Sequence, residues 1–215
     1  GSCGPVTGLC TPGSQKPDGA ACDDGNACTA SCPTCGQDAC FGGACTCPPG
    51  SCAETPSFAT TSFASTDVPK SISALAPNVV SSSLTVSIPG SPVLYDVNVQ
   101  TFLRHTNASN IDMTIRSPQG TIVTLTTDNG GDFDDVFNGT VWNDSANPGG
   151  QVPYSINHGL ATDHDYADNV VATPLAPEEP LGAFVGENPN GTWALTISDD
   201  TGGDGGTLDN WSLTL

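Results

Sequence analysis

From about residue 93 onward, apolar and polar positions alternate with a period of two, the spacing that gives a strand one buried and one wet face. In VLYDVNVQTFL, Val93, Tyr95, Val97, Val99, Thr101 and Leu103 fall on one side, with Asp96, Asn98 and Gln100 on the other. Ile111, Met113 and Ile115 alternate likewise, as do Trp193, Leu195 and Ile197. TIVTLT at 121–126 follows Ser117-Pro118-Gln119-Gly120, a hairpin-turn signal. The closing LDNWSLTL sets Trp211, Leu213 and Leu215 on one side. No ten-residue window carries a capped helical period. Short strands with abundant Gly and Pro between them predict an all-β antiparallel sandwich.

The first quarter reads differently. Ten cysteines stand at 3, 10, 22, 28, 32, 35, 40, 45, 47 and 52, and none follows. Residues 1–52 show little strand or helical period and few apolar residues besides Cys. A core that small cannot offset chain entropy, so cross-links must hold it. An even count at this density, among Gly and Pro, reads as a disulfide framework from an oxidising compartment, with its pairing open. Cys32-x2-Cys35 gives a zinc reading one foothold, but the segment has no His and no second matching pair. Residues 53–64, AETPSFATTSFA, read as a linker running into a first edge segment. Residues 65–215 are the sandwich.

Charge narrows the partners. Asp and Glu number 23 against 4 Lys and Arg, a formal net charge of −19. Such a surface repels phosphate backbones and anionic membranes, which argues against nucleic acid and lipid headgroups. No apolar run approaches the roughly 20 residues of a membrane helix. Gly1-Ser2 has the look of a tag-removal scar, and the expectation is a piece of a longer protein that is secreted or displayed at the cell surface. The acids are clustered. Asp128, Asp132, Asp134 and Asp135 crowd one turn, with Asp144 shortly after, and Asp199, Asp200 and Asp204 crowd SDDTGGDGG. Calcium takes six to eight oxygens from flexible, Gly-rich loops of this kind, and carboxylates this close repel one another unless a cation or proton intervenes. These eight are the candidate metal ligands, and calcium is the expected ion. The blander reading is a solvated acidic rim.

Longer blocks then carry a resemblance. FASTDVPKSI, LYDVNVQTFLRHTNASNIDMTIRSPQGT, GGDFDDVFNGTVWNDSA and PLGAFVGENPNGTWALTISDDTGGDGGTLDNWSLTL follow one another in order. From about Phe58 to Leu215 the chain resembles the P domain (homo B domain) of proprotein convertases and bacterial subtilisin-like proteases. The resemblance implies a jelly-roll β-sandwich of galactose-binding-like architecture. It also implies a non-catalytic role beside a subtilisin-like catalytic domain, supporting that domain's folding and tuning its calcium and pH dependence. Two positions depart from the pattern: Asn110 stands where relatives usually have Asp, and Asn143 precedes Asp144 where paired acids are common. A neutral amide oxygen at either would hold a cation more weakly. The stretch 147–180 fits least and reads as a family-variable loop. At the other end, DGAACDDGNACTASC (18–32) resembles cysteine-rich repeats of modular secreted bacterial proteins, notably myxobacterial ones. Asp23, Asp24 and Asn26 there read as turn residues rather than cation ligands.

Catalysis has little to stand on. The three His are 105, 158 and 164, and no GxSxG elbow or Gly-Thr-Ser nucleophile segment occurs. No catalytic and no cofactor-binding residue is assigned. His105, near a strand end, is expected to satisfy a backbone carbonyl. His158 and His164, with Asp163, Asp165 and Asp168, mix imidazole and carboxylate as zinc accepts, but read as a solvated acidic loop. Trp193 and Trp211 read as core. The functional expectation is an accessory module that stabilises or positions a subtilisin-like protease or docks another extracellular protein, with structural calcium. The alternative is a carbohydrate- or surface-binding module on the same fold. An exposed aromatic platform would favour sugar, and a flat apolar patch would favour protein docking.

Overall fold

A computed structural model describes residues 58–146 and 159–215, together with two short strands in the cysteine-rich segment. The chain divides into two compact units, Gly1–Ala59 and Thr60–Leu215. In the first unit, β1 (Ala39–Phe41) and β2 (Ala44–Thr46) pair antiparallel with Cys40 opposite Cys45. The disulfide framework, the Cys32-x2-Cys35 pair and Asp23, Asp24 and Asn26 lie outside the described residues.

The second unit is all-β, built from two antiparallel sheets. One takes β5 (Asn78–Val86), β10 (Gly191–Asp199), β7 (Ile111–Arg116) and β8 (Ile122–Thr126), in that spatial order. The other takes β3 (Ser62–Ala64), β11 (Gly206–Thr214), β6 (Asn98–His105) and β9 (Asn138–Trp142), with β4 (Lys70–Ile72) also paired to β11. The segment expected as a linker thus ends in an edge strand, since Phe63 pairs with Leu213. Helix among the described residues is confined to 3-10 turns at 108–110, 144–146 and 181–184.

The period of two decides what is inside. Ile111, Met113 and Ile115 of β7 and Trp193, Leu195 and Ile197 of β10 all turn into one core, where Val99, Leu103, Trp211 and Leu213 meet them from the other sheet. Burial of this apolar surface is the main stabilising term for the unit. Trp142 joins the same core, 5.5 Å from the Phe137 ring, and Trp193 meets Phe184 edge-on at 5.0 Å. Each indole N–H has a buried partner: Thr101 Oγ1 for Trp142, the Pro189 carbonyl for Trp193 and Ser82 Oγ for Trp211. Buried indoles need such acceptors, because an unpaired N–H in the core carries its full desolvation cost.

One alternation started too early in the sequence reading. Val93 and Tyr95 are 67% and 71% exposed, whereas Leu94 between them is buried. The backbone of Leu94 bonds the Glu187 carbonyl at 2.8 Å and the Gly186 amide at 2.9 Å, so this residue is clamped before the strand begins. A bend at Tyr95–Asp96 then resets the parity, and Val97, Val99, Thr101 and Leu103 point inward as expected. Gly120, at φ 98°, closes the predicted turn by donating to Ser117's carbonyl at 3.0 Å. A Cβ strains that left-handed backbone, which explains a glycine there.

Candidate functional site

The acidic loops around 128–135 and 199–204 gather at one end of the sheets, because β6, β8 and β10 run into it and β7 and β11 start from it, whereas Asp144 follows the end of β9, which lies beside the start of β6. At its centre, adjacent residues of β6 face opposite ways. His105 turns inward and is 3% exposed, and Asp199, at the end of β10, is fully buried beside it. His105 Nε2 lies 3.4 Å from Asp199 Oδ2, and Nδ1 lies 2.7 Å from the Asn107 carbonyl. The Asn107 amide also lies 3.2 Å from Nδ1, so both backbone groups of Asn107 bracket that nitrogen. Arg104 turns outward and makes a two-pronged ion pair with Asp209 at 2.5 and 2.8 Å. A bulge between Leu208 and Asn210 inserts Asp209 into β11 beside that side chain.

The eight predicted ligands divide by what they already hold. Asp199 also accepts the Thr201 amide at 3.3 Å. Asp135 sits in left-handed backbone at φ 58° and locks the end of β6: its amide donates to His105's carbonyl, and its carboxylate accepts His105's amide, both at 2.9 Å. Asp144 accepts the amides of Leu181 and Gly182, each at 2.8 Å, and so caps the 181–184 turn. Asp204 accepts from the Thr106 hydroxyl at 3.2 Å and from the Asn110 amide group at 3.5 Å. An Asp in place of Asn110 would set two carboxylates face to face there. Asp134 offers only its backbone, to Asp168 and Asn169. Asp128, Asp132 and Asp200 are exposed.

Asp128 and Asp200 come together with two acids that the sequence reading did not single out, Asp112 and Glu178. Partial burial is the first cause, and the charges of Asp128, Asp200 and Glu178 add to it, so the Asp112 carboxyl is held above the usual carboxylate range. Asp112's place on the outer face was legible from the alternation of Ile111, Met113 and Ile115. Its neighbours come from three distant loops and were not. Among the described residues, no three His, Cys, Asp or Glu side chains converge into a ligand set. His158 lies outside the described residues. His164 packs edge-on against Tyr166 at 4.8 Å, and Tyr166 ties the loop down through its hydroxyl to the Ala161 carbonyl at 2.8 Å. Burial pushes the Tyr166 hydroxyl's pKa up.

Among the described residues, the buried imidazole's hydrogen-bond partners are Asn107 and Asp199. The opposite end of the sheets differs in chemistry: Val93, Tyr95, Ile122 and Val185 are exposed around the loops that Leu94 and Glu187 join.

The model of the proprotein convertase P-domain family matches residues 94–215, more than half of the chain. The chain belongs to that family. Among solved structures, the complex of Aeromonas sobria serine protease (ASP) with its chaperone (ORF2) is similar at 17% identity and a TM-score of 0.40, over 73% of this chain and 26% of that one. The serine protease of Aeromonas sobria is similar at 15% identity and a TM-score of 0.38, over 75% and 28%. The chain therefore spans about a quarter of the length of those proteins. No curated protein matches it. No helix among the described residues is long and apolar enough to cross a membrane.

Proposed function

We propose that the chain is a non-catalytic accessory module of a secreted protein, with a jelly-roll sandwich that stabilises or positions a subtilisin-like protease or docks another extracellular protein. Family membership over residues 94–215 is the observation that carries this reading. Two features of the sandwich support it. The His–Asp pair that a hydrolase would need at its surface is sealed in the core. All three tryptophans are buried, so no indole platform is left for a sugar ring, while apolar side chains are exposed around Leu94 and Glu187. That balance favours protein docking over the carbohydrate-binding alternative.

The calcium part of the reading rests on charge. Repulsion from Asp128, Asp200 and Glu178 adds to burial in raising Asp112, and a divalent cation would relieve that repulsion. Asp135, Asp144, Asp199 and Asp204 are already engaged as hydrogen-bond acceptors, so the ion would fall to the exposed members of the group.

The test is co-production. Subtilisin-like catalytic domains encoded in the same genome are expressed with and without this chain, and soluble, active protease is measured. The expected result is a several-fold gain in active protease with at least one of them, and no peptide hydrolysis by the chain alone. Absence of any gain, together with selective capture of an oligosaccharide on a glycan array, would replace the reading with the carbohydrate one.

A further inference from the structure

The end of the second unit opposite His105 and Asp199 carries apolar side chains that the core does not use. Val93, Tyr95, Ile122 and Val185 are each more than half exposed. They come from three segments that hydrogen bonds tie together. Leu94, between Val93 and Tyr95, bonds the Glu187 carbonyl and the Gly186 amide, and Gly186 directly follows Val185. The Glu187 carboxylate takes the hydroxyl of Thr121, the residue before Ile122. Residues 93–95, 121–122 and 185–187 are thus fixed beside one another in the sandwich itself. A surface held in place this way loses little freedom when something docks on it.

Arg116 stands at the rim of that surface. It is the cross-strand partner of Ile122, and its side chain is exposed. A Cβ on Gly120 would lie 3.6 Å from Arg116 Nη2, so the guanidinium reaches over the 117–120 turn. Its charge is unspent. Lys70 is paired with Asp67 and Arg104 with Asp209, whereas no acid pairs with Arg116 among the described residues. The acids near this end are committed to other donors. Asp96 takes the Asn98 amide group at 2.9 Å, Asp144 the amides of Leu181 and Gly182, and Glu187 the Thr121 hydroxyl.

That cation selects what can cover the surface. A purely apolar partner laid on Ile122 strips water from the guanidinium beside it, and a desolvated charge without an acceptor is costly. A carboxylate removes the cost, because its two oxygens meet the planar guanidinium fork through parallel hydrogen bonds. A second copy of the chain brings another net charge of −19 and is repelled as a whole. We propose that Val93, Tyr95, Ile122 and Val185 dock a segment of a partner polypeptide whose apolar side chains flank one Asp or Glu, and that this carboxylate pairs with Arg116. The proposal rests on the reading of the chain as a docking module, and it names the surface and the chemistry of the segment bound there.

The probe is the capped peptide Leu-Glu-Phe-Leu, titrated into the isotopically labelled full chain while amide shifts are followed by NMR, with Leu-Gln-Phe-Leu alongside. The expected result is saturable change centred on residues 93–95, 116–122 and 185–187, with the Glu peptide bound about threefold more tightly. Arg116→Gln should erase that preference, since the coupling belongs to the one pair. Ile122→Thr should weaken both peptides about fourfold by removing apolar contact. Both replaced side chains are exposed, and melting curves of the variants establish that the sandwich is intact. Absence of saturable binding, changes centred elsewhere, or a Glu preference that is missing in the wild type or survives Arg116→Gln would overturn the proposal. So would a wild-type dimer in sedimentation that Ile122→Thr abolishes, because the occupant would then be a second copy. Failure here with a positive co-production result removes only this surface, whereas failure of both removes the module reading as well.

Discussion

The two ends of the second unit are made of the same material, short loops between strands, and they spend their side chains in opposite ways. At the acidic end, polar groups are tied down. Asp135 and Asp199 hold His105, Asp204 holds Thr106 and Asn110, and the charges left over crowd Asp112. At the other end, Asn98 Oδ1, Ser117 Oγ and Glu187 Oε2 are buried without a hydrogen-bond partner among the described residues, while Val93, Tyr95, Ile122 and Val185 face outward. The difference teaches that a run of acids in a loop does not count ligands. Burial converts a carboxylate into a structural acceptor, and only the exposed remainder is available to a cation.

The sharpest way to break this comparison is to remove one half of the buried pair. His105→Ala and Asp199→Ala should each cost about 1–3 kcal/mol in urea unfolding, since each leaves a buried polar group short of one hydrogen-bond partner. Arg104→Ala, one residue away on the wet face, should leave the midpoint nearly unmoved because its ion pair with Asp209 is exposed. Equal losses at 104 and 105 would show that burial does not separate the two.

Calcium comes next. At a concentration about a hundredfold above its dissociation constant it would add roughly 2.7 kcal/mol, a melting shift of about 5–10 °C. Magnesium should do less, and sodium chloride at matched ionic strength should not reproduce the effect. Asp112→Asn should reduce the shift, and Asp144→Ala should leave it intact. A melting curve that neither calcium nor chelator moves would leave the acidic end a plain charged rim.

Asp144→Ala should instead cost about 0.5–2 kcal/mol at any calcium level, through loss of the two amide bonds that cap the 181–184 turn.

A smaller effect concerns pH. Asp112's carboxyl is raised in the folded state, so folding opposes its ionisation, and its cost is felt above that raised value. Asp112→Asn should therefore melt slightly higher than wild type near pH 7, and the advantage should vanish as pH falls below the ordinary Asp value of 3.8. Asp67 works the other way. Although its partial burial alone would raise it, bonds from Ser82 and Ser83 and the charge of Lys70 hold it below 3.8, so its stabilisation is present above that pH and fades as the solution is acidified further. The smallest effect is expected at the apolar end, where Tyr95→Ser should change stability by no more than about 0.5 kcal/mol. A larger loss would mean that this end is as structurally committed as the acidic one.

How much was legible in the sequence depended on the range of the interaction. The inward faces of β7, β10 and β11 could be read because strand geometry sends alternate side chains to one side, whatever lies beyond them. The turn at Ser117–Gly120 could be read because its chemistry is local. By contrast, Val93 and Tyr95 were misplaced because the clamp on Leu94 comes from residues 186 and 187, nearly a hundred positions away. The eight acids crowd together along the sequence, but which of them are already in use turns on partners such as Leu181 for Asp144 and His105 for Asp199. None of those is a sequence neighbour.

The sequence by itself therefore determined the all-β class, the family, the separation of a cysteine-dense segment from a cysteine-free one, and the overwhelming negative charge. The family follows from sequence blocks that match in order, and the others from composition or from contacts within a few residues. Only the tertiary structure decided that His105 and Asp199 are sealed together, that Asp112 joins the exposed acids, and that Trp142 belongs to the core. Those outcomes depend on which distant segments the two sheets bring into register, and burial, the quantity that sets both the strength of a charge pair and the availability of a backbone group, exists only once they have done so.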